Sequence, residues 1–151
     1  MRNEHFPPER NYLEAHVTLF HAIPQSCEDE LSDLCKAIAS QYEPVEARLE
    51  GLMSLGRGTA LKLASDGILR IRDRIAEHFT GMLTGQDQHR PRLHVTIQNK
   101  VSPGEAKALL STLEGTIQPR NFAFRGLSLF HYVGGPWDHV RDFAFRGRES
   151  A

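Results

Sequence analysis

The tripeptide His-Val-Thr occurs twice, at His16-Val17-Thr18 and His94-Val95-Thr96, each time followed by an aliphatic residue and set in a run of apolar and β-branched residues. Such runs read as strands. Residues two apart on a strand share a face, so His16 pairs with Thr18 and His94 with Thr96, while Val17, Leu19, Val95 and Ile97 turn to the core. Each motif therefore offers an imidazole beside a hydroxyl. Two imidazoles held a phosphate's width apart suit in-line attack at phosphorus: one takes a proton from water and the other gives one to the departing oxygen. An unperturbed imidazole pKa of roughly 6.5 lets both roles coexist near neutrality. The hydroxyls of Thr18 and Thr96 can hold the non-bridging oxygens as phosphorus becomes five-coordinate. This chemistry requires neither metal nor cofactor. A zinc site is not expected, because His16 and His21, five apart, point to opposite faces of a strand. A Ser-His-Asp reading lacks a Gly-x-Ser-x-Gly elbow.

Composition narrows the ligand. The chain has 151 residues, 40% hydrophobic and 25% charged, with a formal net charge of −1, which fits one compact unit in the ordinary soluble range. A near-neutral balance argues against a broad phosphate-neutralising surface and so against long duplex DNA. A small phosphorylated molecule or an RNA end needs only a local basic site. Candidate cations for it are Arg57 in a Gly-flanked turn, Arg92 just before the second motif and Lys100 just after it, with Tyr132 as a candidate for stacking a base. Cys27 and Cys35, eight apart, match neither a metal knuckle nor a disulfide framework and read as reduced thiols. The segment Met1–Arg10 is polar, and no run approaches the length of a membrane span. A soluble cytoplasmic protein is expected.

Local patterns suggest the elements that position the motifs. A strand is expected over Leu13–Ile23, ending at Pro24. A helix over Cys27–Gln41 with Ser26 as cap should follow. Alternation at Val45, Ala47, Leu49 and Gly51, with Gly56-Arg57-Gly58 before Ala60–Leu63, predicts a β-hairpin. Next comes a helix capped by Ser65 or Asp66, with Ile68, Ile71, Ile75, Phe79 and Met82 along one stripe. Thr84–Pro91 reads as a connection. The pattern then restarts: a strand over Leu93–Val101, a helix from Pro103 through Leu113 with a capping box at Ser102, and strands over Phe122–Val133 and Val140–Phe145.

Both halves read strand, helix, then further strands, which points to a duplicated α+β lobe with pseudo-twofold symmetry. One domain over 1–151 results, with lobe one about 10–83 and lobe two about 92–147, each contributing one motif to a shared cleft. A monomer is expected, since a single chain supplies both lobes.

The paired motifs His16-Val17-Thr18-Leu19 and His94-Val95-Thr96-Ile97 resemble those of the two-histidine phosphoesterase superfamily, in particular its bacterial 2′-5′ RNA ligase-like branch. Phe20-His21-Ala22-Ile23-Pro24, Gln98-Asn99-Lys100 and Gly134-Gly135-Pro136-Trp137 add to the likeness. The resemblance implies a bilobal α+β fold with two antiparallel sheets flanking a cleft and helices outside. It also implies metal-independent hydrolysis of a 2′,3′-cyclic phosphodiester, on a small cyclic nucleotide or an RNA 3′ end, to a 2′-phosphate. Some relatives also join RNA ends through a 2′-5′ linkage, with an RNA hydroxyl in place of water. By resemblance His16 is the proton donor and His94 the acceptor. The competing expectation is a non-catalytic module that binds a nucleotide or RNA end on the same fold.

Overall fold

The computed structural model describes residues 16–98, 100–132 and 137–151, leaving out the side chains of Tyr132 and Trp137. Its elements, in chain order, are α1 (Glu28–Gln41), β1 (Val45–Ser54), β2 (Thr59–Ala64), α2 (Asp66–His78), β3 (His94–Gln98), α3 (Pro103–Leu113), β4 (Arg120–Phe124), β5 (Gly126–Tyr132) and β6 (Trp137–Ala144). Short 3-10 turns cover Gln25–Cys27 and Gly85–Gln88. The fold is α+β with two antiparallel sheets. One has four strands in the order β3-β2-β1-β4, and the other pairs β5 with β6.

Helices α2 and α3 form where caps and periodicity agree. Ser65 accepts from the Ile68 amide at 3.2 Å and donates to the Glu46 carbonyl at 2.6 Å, so one hydroxyl both starts α2 and ties it to β1. A cap of this kind is worth about 1 kcal/mol. Ile68, Ile71, Ile75 and Phe79 are buried along the expected stripe, whereas Met82, beyond the end of the helix, is exposed. Ser102 caps α3 by accepting from the Glu105 amide at 3.2 Å, with Pro103 in the first turn. Ser26 does not cap α1: the 3-10 turn pushes the helix start to Glu28, leaving Cys27 as an N-cap without a side-chain bond.

The main core joins Leu31, Cys35 and Ile38 of α1, Ile68, Ile71 and Ile75 of α2, and Val45, Leu49 and Leu63 of the large sheet to Leu127 and Phe143 of the small one. A second cluster packs Leu109 and Leu113 of α3 on Ile97. Among the described residues no helix is long and apolar enough to cross a membrane.

Three strand expectations differ from the structure. The single strand over Phe122–Val133 breaks at Arg125: β4 pairs with β1, and β5 with β6 in the other sheet. Gly126 permits the crossing, since a β-carbon there would stand 2.3 Å from the Phe143 carbonyl oxygen. Val133 lies outside the described residues. The strand over Leu13–Ile23 is also not found among residues 16–23, which carry no regular strand; residues 13–15 lie outside the described set. The successive amides of His21 and Ala22 both donate to the Asp87 carboxylate, at 2.9–3.0 and 2.8 Å. In a strand, consecutive N–H groups point to opposite sides, so this convergence is incompatible with a ladder. The expected Leu93–Val101 strand likewise stops at Gln98, and Lys100 follows in a left-handed conformation, φ 57°.

Candidate functional site

The second motif lies on β3, a short strand whose alternation sorts its residues. Ile97 is 1% exposed and packs under α3, and Val95 packs on the main core. His94 and Thr96 therefore project from the other face, where both are half-buried. Opposite them on β2 stand Lys62, in register with His94, and Ala60, in register with Thr96.

The His94 ring has a defined orientation. Its Nδ1 lies 2.7 Å from the Arg92 carbonyl oxygen. A carbonyl only accepts, so Nδ1 carries the hydrogen, and in the neutral ring Nε2 keeps its lone pair. Arg92 thus contributes through its backbone, while its side chain is exposed.

The first motif is carried differently. The His16 ring lies against Phe130 of β5, with centroids 6.3 Å apart and tilted by 39°. Phe130 in turn meets His139 of β6 edge-on at 5.3 Å. His139 Nε2 and the Ser128 hydroxyl both reach Asp142 Oδ1 at 2.7 Å, and these bonds hold the Asp142 carboxyl below its ordinary value. His16 accordingly packs on the small sheet while His94 belongs to the large one. Thr18 is half-buried between Val17 and Leu19, which pack on the core.

Downstream, two buried charges fix the chain that leaves the first motif. Asp87 is 1% exposed and Arg72 of α2 is 2% exposed. Besides the two amides, Asp87 Oδ1 meets His21 Nδ1 at 3.2 Å. Arg72 donates from Nε to the Leu19 carbonyl at 3.3 Å and from Nη2 to the Asp87 carbonyl, and its guanidinium sits 4.4 Å from the centre of the Phe20 ring. Burial pushes the Arg72 guanidinium below its ordinary value, against the opposing pull of Asp87 and Asp73. Only the short stretch 88–93 separates this anchor from His94.

The softer candidates separate from the histidines. Arg57 in the β1–β2 turn donates from Nε to the Val101 carbonyl at 3.1 Å, and the Val101 amide donates back to the Arg57 carbonyl at 3.0 Å. That double tie brings Arg57 beside the Lys100 loop. Both stand at the Gln98 end of β3, roughly 13 Å along the strand from His94. Tyr132 is the last residue of β5. Among the described residues no three His, Cys, Asp or Glu side chains are grouped as metal ligands. Lys62, Arg72, Asp87 and Phe130 escaped the sequence reading. Lys62 carried a signal, as the lone charge in the apolar run Thr59–Ala64; Asp87, in a polar connection, carried none.

Comparison with known proteins places this arrangement in context. The family model described as the 2′-5′ RNA ligase superfamily matches residues 1–136. Among solved structures the chain is similar to TT0787 of Thermus thermophilus, with TM-score 0.57, 18% identity, and coverage of 89% of this chain and 80% of that one. It is also similar to E. coli LigT complexed with 3′-AMP, with TM-score 0.50, 18% identity, and coverage of 95% of this chain and 86% of that one. No curated protein sequence matches the chain significantly.

Proposed function

This chain belongs to the 2′-5′ RNA ligase superfamily, and from that premise we propose that it is a metal-independent phosphoesterase that opens a 2′,3′-cyclic phosphodiester to a 2′-phosphate. The observation that carries the proposal is the duplicated His-Val-Thr motif, the second copy holding its imidazole with Nε2 as the basic nitrogen.

In this reading the two halves of the chain, about 10–83 and about 92–147, each supply one motif to a shared cleft. The halves interleave in the sheets: β3 and β4 complete the large sheet with β1 and β2, and His16 packs on the small sheet of the second half. His94 Nε2 takes a proton from water as the water oxygen bonds to phosphorus. The bond from phosphorus to the 3′ oxygen breaks, and His16 delivers the proton that oxygen needs. Thr18 and Thr96 hold the non-bridging oxygens while charge builds on them. An RNA 5′-hydroxyl in place of water yields a 2′-5′ linkage by the same steps. Neighbouring LigT is complexed with 3′-AMP, which supports a nucleotide or RNA 3′ end as the substrate class. Arg57, Arg92, Lys100 and Tyr132 are the proposed substrate contacts outside the motifs, and a soluble cytoplasmic monomer is the proposed state.

The test is turnover in EDTA of the four 2′,3′-cyclic nucleotides and of cyclic-phosphate-ended RNAs, with 2′- and 3′-phosphate products resolved. Formation of the 2′ isomer by wild type, lost in both His16→Ala and His94→Ala, is expected. Binding of these ligands without any product would replace the hydrolase with the non-catalytic module.

A further inference from the structure

Three residues form one row across the large sheet: Gly51 on β1 is in register with Lys62 on β2, which is in register with His94 on β3. Directly opposed residues of antiparallel strands put their side chains on the same face, with β-carbons about 5 Å apart. Leu61 and Leu63, the neighbours of Lys62 in sequence, pack into the core, so Lys62 shares the outward face of His94 and Thr96.

We propose that Lys62 is a phosphate-holding residue of this site, its ammonium binding the non-bridging oxygens of a phosphoryl group seated against His94 and Thr96. The inference rests on the phosphoesterase reading and adds to it a cation that neither motif contains.

Three observations support it. Lys62 is exposed, and its side chain takes part in no hydrogen bond or ion pair among the described residues. It is therefore a charge the fold does not use. The one carboxylate adjoining its row is Glu50, the extra residue of the bulge beside Gly51, and no ion pair joins it to Lys62 among the described residues; the next row on this face runs Met53, Ala60, Thr96 and carries none. Space adjoins it as well: Gly51 has no side chain, and a β-carbon there would meet nothing within 4 Å. A lysine stem spans the gap to a group beside the neighbouring strand, and an ammonium is a compact partner for phosphate oxygens. Negative charge on those oxygens grows as phosphorus becomes five-coordinate, so the contact strengthens toward the transition state.

Lys62→Met keeps the length and removes the charge; Lys62→Arg restores it. Turnover of the cyclic substrates and calorimetric binding of nucleoside 2′-monophosphates would be measured for wild type and both variants. Lys62→Met is expected to lower kcat/KM by about 10- to 100-fold, mostly in kcat, and to weaken monophosphate binding by about tenfold. Its melting temperature should match wild type, and Lys62→Arg should recover most of both losses. Wild-type turnover and monophosphate affinity in Lys62→Met would overturn the inference and leave the phosphoesterase reading standing. If wild type turns over no substrate, that reading falls and binding alone decides: a monophosphate held by wild type and lost in Lys62→Met sustains the role of Lys62. Equal binding, or none by wild type, ends it.

Discussion

Arg72 donates to the main-chain carbonyl of Asp87 and leaves the Asp87 carboxylate to the His21 and Ala22 amides. The two buried charges therefore act as a relay of hydrogen bonds from α2 to the segment that follows His16. Removing the carboxylate takes the acceptor from the His21 and Ala22 amides and leaves Asp73 as the remaining anion acting on buried Arg72. Asp87→Ala should lose about 3 kcal/mol, a melting temperature lower by about 6–12 °C. Turnover measured well below that melting point should also fall by about tenfold or more as His16 loses its placement. A variant that melts with wild type would show that the segment is held by other contacts.

Asn at position 94 can present an amide to the Arg92 carbonyl where Nδ1 now donates, but it has nothing at the position of Nε2. His94→Asn should fold as wild type, with an unchanged melting curve. Its kcat should drop by about 10²- to 10⁴-fold. Retention of turnover would mean that another group accepts the proton.

Burial pushes the Cys35 thiol from 9.0 up to about 11. The unfolded chain therefore releases this proton first, and the stabilising effect of a protonated, buried thiol is complete below pH 9 and fades as pH rises toward 11. Over that window Cys35 should account for about 2 kcal/mol of lost stability. Denaturant melts of wild type and Cys35→Ala at pH 8 and pH 10.5 measure it: the variant should show the smaller decline. At pH 8 the native thiol should also resist a disulfide reagent that modifies it in denaturant.

Two glycines should respond to alanine with opposite signs. A β-carbon on Gly147 would lie 2.0 Å from the Gln41 carbonyl group, whereas one on Gly104, in the first turn of α3, would meet nothing within 4 Å. Gly147→Ala should cost about 1–3 kcal/mol because the backbone segments must separate. Gly104→Ala should gain about 0.4–1 kcal/mol by restricting the unfolded chain. Thermal denaturation of both variants is the measurement, and a destabilised Gly104→Ala would mean that α3 starts differently.

Features that depend on neighbours in the chain are legible from residue spacing. The caps at Ser65 and Ser102, the stripe Ile68–Phe79 and the alternation that turns His94 and Thr96 from the core all follow from spacing, because a helix turn or a strand face is set within a few residues. The repeated motif was equally legible, and with it the family. Relations between distant segments are not legible there, because long-range packing sets them. The chain crosses from one sheet to the other at Arg125, a step that depends on how closely Gly126 approaches Phe143. The residues after His16 leave the strand pattern for an aspartate 66 residues from His21. Lys62 meets His94 because β2 and β3 pair in one register, and slippage by a single residue would put the lysine on the other face. Local pattern specifies which side of an element a residue takes. Which residue stands across from it is fixed by the packing of the whole sheet.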